Sequence, residues 1–142
     1  MWMRSRGPEG EGLVATLYGP SSVSTQIGGV SVKVGERTDY PFGFEIELSI
    51  ETERELEFPL RLRLPGWSAN PEVTAPDAKV SRDARGFLVL NKRWKSGDKA
   101  RLSLKPAIYA RKAVNGKAAM AYGPLVFSLP IPEKSEIVAR FP

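Results

Sequence analysis

The sequence predicts an all-β fold, a two-sheet antiparallel β-sandwich of jelly-roll type. Three observations carry this reading. Apolar and polar residues alternate with period two along most of the 142 residues, the signature of strands with one buried face. Glycine- and proline-bearing turns cut the chain into short segments. No stretch shows a convincing helical period.

The expected strands follow in order. Leu13–Tyr18, Val23–Ile27 and Val30–Lys33 come first, the last two joined at Gly28-Gly29, which supplies the positive φ of a tight hairpin. "GFEIELSIE" then places Phe44, Ile46, Leu48 and Ile50 on one face and Glu45, Glu47, Ser49 and Glu51 on the other. "EFPLRLRL" repeats the pattern, with Phe58, Leu60, Leu62 and Leu64 inward and Arg61 and Arg63 toward solvent. The few residues from Thr52 to Glu55 suit a hairpin, which would set Glu45 and Glu47 near Arg61 and Arg63. Such opposed charges contribute about 0.2–1 kcal/mol per pair. Pro59 lacks a ladder donor, so this strand is expected at an edge or at a bulge.

Later strands are expected at Val73, Phe87–Leu90, Ala100–Leu104, Ala118–Tyr122 and Leu125–Leu129. "FLVL" is apolar on both faces and reads as central. Ser96-Gly97-Asp98 is a compact turn and Asn115-Gly116 a hairpin turn. The chain divides into an N-terminal extension or former inter-domain connection (1–12), the sandwich (13–129) and a C-terminal extension (130–142).

Composition excludes several chemistries. With no cysteine and no histidine, there are no disulfides, no thiolate nucleophile, no Ser-His triad and no zinc site built from Cys or His. No catalytic residue, metal ligand or cofactor is assigned. No apolar run approaches the roughly 18 residues of a membrane span. The opening "MWMRSRGPEGEG" lacks a signal-type apolar stretch; localisation stays open.

Charge is uneven within the net +5. Residues 36–57 carry eight acids (Glu36, Asp39, Glu45, Glu47, Glu51, Glu53, Glu55, Glu57) against Arg37 and Arg54, while residues 79–117 carry twelve Lys or Arg against Asp83 and Asp98. The favoured reading is two complementary outer sheet faces. The alternative is an anion- or nucleic-acid-binding surface on 79–117, with Phe87, Trp94 and Tyr109 among its cations. Glu45 and Glu47 share a strand face at about the carboxylate separation of an inverting glycosidase. A general acid, however, needs a dry site that raises its pKa, and an alternating polar face does not supply one.

Trp94 ends a central strand and reads as core. Trp67 follows the strand-stopping Pro65-Gly66 at a sandwich end, where it can seal the core, stack on a sugar ring or meet another domain.

Five pieces, "LYGPS" (17–21), "TDYPFG" (38–43), "LRLPGW" (62–67), "GFLVLNKRWKSGD" (86–98) and "YGPLVF" (122–127), stand in an order that resembles the β-sandwich following the catalytic barrel in glycoside hydrolase family 127, the β-L-arabinofuranosidase family. Phe42 stands where that family usually has tryptophan, and Tyr122 where it usually has arginine. The family's activity resides in a helical (α/α)6 barrel with a zinc-bound cysteine, none of which can be placed on this chain. The resemblance implies a non-catalytic accessory domain of a glycoside hydrolase that stabilises or orients such a barrel. Trp67, Tyr40 and Phe42 are then candidate domain-interface or sugar-stacking residues. The alternatives are a free-standing carbohydrate-binding module and the anion-binding domain above. The expected partner is the barrel, with a second copy of the chain or a carbohydrate as other partners.

Overall fold

The computed structural model describes residues 1–7, 10–112 and 117–128, with no helix among them. Two five-stranded sheets pack face to face. Sheet 1 has the order β1 (Trp2–Gly7), β2 (Gly10–Ala15), β6 (Leu56–Leu62), β9 (Leu88–Trp94), β8 (Lys79–Arg82). Sheet 2 has the order β3 (Ser21–Ile27), β4 (Val30–Thr38), β5 (Glu45–Thr52), β10 (Lys99–Ser103), β7 (Glu72–Thr74). A third, three-stranded sheet follows the sandwich: β11 (Ile108–Lys112), β12 (Ala118–Tyr122) and β13 (Leu125–Phe127). Pairing is antiparallel except for β2 with β6, which run parallel.

Alternation builds the core as expected. Val30, Val32 and Val34 of β4, Ile46, Leu48 and Ile50 of β5, and Leu60 and Leu62 of β6 are all buried. Trp94 is enclosed completely, its ring 5.9 Å from that of Phe58 and its indole N–H donating to the Phe58 carbonyl at 2.9 Å. Gly28 and Gly29 take φ of 53° and 74° and join β3 to β4. Gly97, at φ 89°, closes the 95–98 turn, where Asp98 N–H donates to the Lys95 carbonyl at 3.1 Å. The Asn115-Gly116 turn, Leu129 and the 130–142 extension lie outside the described residues.

Several expectations are corrected. β5 and β6 do not form a hairpin: β5 lies between β4 and β10, whereas β6 lies between β2 and β9 in the other sheet. Glu45 and Glu47 therefore face away from Arg61 and Arg63. Pro59 is neither at an edge nor at a bulge, because the β6–β9 register runs unbroken through Pro59↔Asn91. Its missing donor falls just before the β2–β6 ladder, which starts at Leu13↔Leu60. There Gly12 comes so close that an added Cβ would sit 2.1 Å from the Pro59 carbonyl oxygen.

Arg61 is not solvent-facing. Its side chain is 12% exposed and reaches Ser5 on β1 at 2.9 Å, lying over the part of β2 where Ser5 pairs with the side-chain-free Gly12. Arg63 is exposed, and Leu64 is only half-buried because the sandwich ends there. Part of the 1–12 extension is strand β1, paired with β2 from Trp2↔Ala15 to Gly7↔Gly10. β8 and β11 were also unforeseen; every one of their residues is exposed, so no buried face marks them in the sequence.

Candidate functional site

The three candidate residues lie on two loops at one end of the sandwich. The β4–β5 loop is pinned at its base by buried Thr38, whose hydroxyl donates to the Glu45 carbonyl at 2.7 Å and accepts the Tyr40 N–H at 3.1 Å. The Phe42 and Gly43 N–H groups then both donate to the Asp39 carbonyl, at 2.9 and 3.0 Å. That tight turn holds the Phe42 ring out, 81% exposed. Tyr40 instead turns back, half-buried, and meets the Tyr18 ring edge-on at 6.1 Å. Burial raises the pKa of both phenols, more strongly for Tyr18, and the Tyr18 hydroxyl donates to the Arg63 carbonyl at 2.6 Å.

On the second loop the Ser68 N–H donates to the Pro65 carbonyl at 2.9 Å, and the Ser68 hydroxyl accepts the Lys105 N–H at 3.0 Å. Gly66 does not take a positive φ, so proline rather than glycine sets this turn. Trp67 emerges half-buried, packed against the core from one side. Its ring meets Phe44 at 5.8 Å and 72°, and Phe44 meets Tyr122 at 5.4 Å and 90°. This edge-to-face chain ties the sandwich end to the third sheet. Gly123 completes the seam: its φ is 58°, and a Cβ there would lie 3.0 Å from the Phe44 ring and 3.3 Å from Pro106.

Trp67, Tyr40 and Phe42 thus share an end of the fold, with Phe44 reaching Trp67 and Tyr18 reaching Tyr40. Phe44, Tyr18 and Tyr122 are the residues that sequence reasoning missed as site members. By alternation alone Phe44 is an ordinary inward residue; its place directly after the Pro-bearing loop is the available signal. A buried acid was missed as well. Glu36, 5% exposed, continues the inward series Val30, Val32, Val34. Burial raises its pKa, against the Gly19 N–H and Ser21 hydroxyl that donate to it at 3.0 and 3.3 Å.

The carboxylate pair of β5 is engaged. Glu47 accepts Lys99 at 3.2 Å and Arg101 at 3.4 Å, and these bonds, led by that of Lys99, lower its pKa. Glu45 accepts the Ser103 hydroxyl. The basic segment is spread over the fold, with Lys92 on Asp98 at 3.1 Å, Lys105 on Glu72 at 3.1 Å, and Lys99 and Arg101 on Glu47. Arg101↔Glu47 pairs across β10–β5, so acidic and basic segments meet there on one outer face of a single sheet rather than as two separate complementary faces. Among the described residues no group of three or more His, Cys, Asp or Glu could hold a metal ion, and no helix is long and apolar enough to cross a membrane.

Comparison with known proteins gives a consistent picture. A family model described as beta-L-arabinofuranosidase, GH127 middle domain, matches residues 12–106. Among solved structures, a GH127 β-L-arabinofuranosidase from Geobacillus stearothermophilus T6 is 31% identical with a TM-score of 0.73; the match covers 87% of this chain and 20% of that one. A structure titled glycoside hydrolase (23% identity, TM-score 0.72) and the GH127 β-arabinofuranosidase BT3674 (22% identity, TM-score 0.69) share the fold, each covered over 22% of its length. The chain therefore spans about a fifth of the structures it resembles. No curated protein matches.

Proposed function

The chain belongs to the GH127 middle-domain family of β-L-arabinofuranosidases, and from that premise we propose that it is a non-catalytic accessory β-sandwich of a glycoside hydrolase, which stabilises or orients a helical catalytic barrel. The observation that carries this reading is the Trp67–Phe44–Tyr122 chain at the sandwich end. Its rings lock edge-to-face, which builds a firm apolar shoulder and not a row of open faces for stacking. The chemistry agrees. Glycoside hydrolysis calls for a pair of carboxylates, and in the pair that shares a strand face Glu47 has its pKa lowered where a general acid needs it raised.

The test is a graft. The full chain replaces the matched fifth of the Geobacillus stearothermophilus T6 enzyme, and hydrolysis of an aryl arabinofuranoside is followed. The graft should hydrolyse the substrate, a version lacking the segment should not, and the isolated chain should show no turnover. Turnover by the isolated chain that disappears in Glu45→Gln would overturn the reading. One observation favours a carbohydrate-binding module instead: Phe42 presents a ring that is 81% exposed. Quenching of tryptophan fluorescence by arabinose oligosaccharides, absent in Phe42→Ala, would select that alternative.

A further inference from the structure

We propose that one face of the small third sheet is a docking surface for a neighbouring domain of the same polypeptide, one presenting an apolar patch, and not for a second copy of this chain. This rests on the accessory reading above and specifies which surface makes the contact. The register fixes the face. Ile108 pairs with Tyr122 and Ala110 with Met120 across β11–β12, while Met120 pairs with Phe127 and Tyr122 with Leu125 across β12–β13. Paired residues share a side, so Ile108, Ala110, Met120, Tyr122, Leu125 and Phe127 lie on one face, which carries charge only at its end, where Lys112 pairs with Ala118. Ile108 is 68% exposed, Met120 48% and Phe127 54%. Sheet faces of this composition are normally covered.

Three observations select the occupant. The first is position. The family model ends at residue 106 and the sheet begins at Ile108, so the face lies beyond the sandwich unit that the model spans while remaining fixed to it through Tyr122, Phe44 and Gly123. The second is length: the related Geobacillus chain is covered over only 20%, so proteins of this kind carry further domains. The third is area. The exposed parts of Ile108, Met120 and Phe127 amount to about 300–400 Å². A stable complex of two free proteins buries about 800 Å² per partner, roughly twice what this face offers a second copy. Domains of one chain pack through about 600–1,500 Å² counted from both sides, which the face meets at the low end, and tethering at about millimolar effective concentration supplies the rest.

Trypsin tests the idea without relying on activity, because Arg111 and Lys112 lie exposed in β11. In the graft, cleavage at these two residues should be at least about tenfold slower than in the isolated chain, because docking closes the opened state. Ile108→Asp with Phe127→Asp should return the graft to the faster rate. The same pair should leave the isolated chain folded with only a small drop in its thermal midpoint, since both side chains are more than half exposed. The isolated chain should sediment as a monomer. Equal cleavage rates in a graft that hydrolyses substrate would overturn the docking face and leave the accessory reading standing. A dimer of the isolated chain that Ile108→Asp dissociates would make a second copy the occupant, and would overturn it too. A graft that neither hydrolyses nor protects would overturn both.

Discussion

Replacing Trp67 by alanine, beside the same change at Trp94, separates a ring at the edge of the core from one inside it. Trp94 is fully enclosed and donates to the Phe58 carbonyl at 2.9 Å. Its removal should cost the roughly 3–5 kcal/mol of emptying a core aromatic site, plus about 1 kcal/mol or more for the buried acceptor left unpaired. Trp67 is only partly buried, so up to about a third of its surface is already in water, and the burial share of the cost is about two thirds of that core figure or more. The edge-to-face contact with Phe44 adds about 0.5–1.5 kcal/mol. The expected cost for Trp67→Ala is therefore about 2.5–4.5 kcal/mol, centred roughly 1.5 kcal/mol below the about 4–6 kcal/mol of Trp94→Ala. Urea unfolding followed by far-ultraviolet circular dichroism measures both, with the slopes checked for constancy before midpoints are compared. A double-mutant cycle with Phe44→Ala isolates the ring contact. If both tryptophan variants lose the same stability, Trp67 belongs to the private core of this domain. Its availability to a neighbouring domain would then have been misjudged.

Three further outcomes are expected. Gly12→Ala should cost at least about 2 kcal/mol in the same unfolding assay, since its Cβ would collide with the Pro59 backbone, whereas Gly19→Ala, with nothing within 4 Å, should change little. The raised pKa of buried Glu36 contributes stability that is full below the ordinary glutamate range and lost as pH rises through the folded value; Glu36→Gln should flatten that decline and unfold at higher temperature than the parent at neutral pH. Asp98 behaves oppositely: burial raises its pKa, but the Lys95 N–H and the Lys92 ammonium outweigh it and leave the carboxyl lowered. The stability Asp98 supplies should be present above the ordinary aspartate range and fade as pH falls, and Asp98→Asn should remove that acid-side slope in a series of melts.

Much of this molecule is local pattern. Period-two alternation through Ile46, Leu48 and Ile50, and again through Leu60 and Leu62, determined which side chains are buried, because a strand that hides one face has no other periodicity available. Gly28-Gly29 determined its own hairpin for a similar reason: two consecutive positive φ values require that kind of residue. The missing cysteine and histidine bound the chemistry at the level of the sequence. What alternation does not carry is the identity of the neighbouring strand. The sequence of β5 and β6 suits a hairpin as well as it suits two opposed sheets, and only the competition of all the apolar faces for one interior separated them. Arg61 is covered although its alternation points it outward, because its side chain lies across β2 at Gly12 to reach Ser5 on β1, a contact that no nearby residue announces. The aromatic end has the same character. Phe44, Trp67 and Tyr122 are far apart in the chain and meet only because two loops and the seam at Gly123 converge. The sequence therefore determined what each segment must bury, and the tertiary structure decided against what, because burial is a property of one strand whereas contact belongs to the whole set.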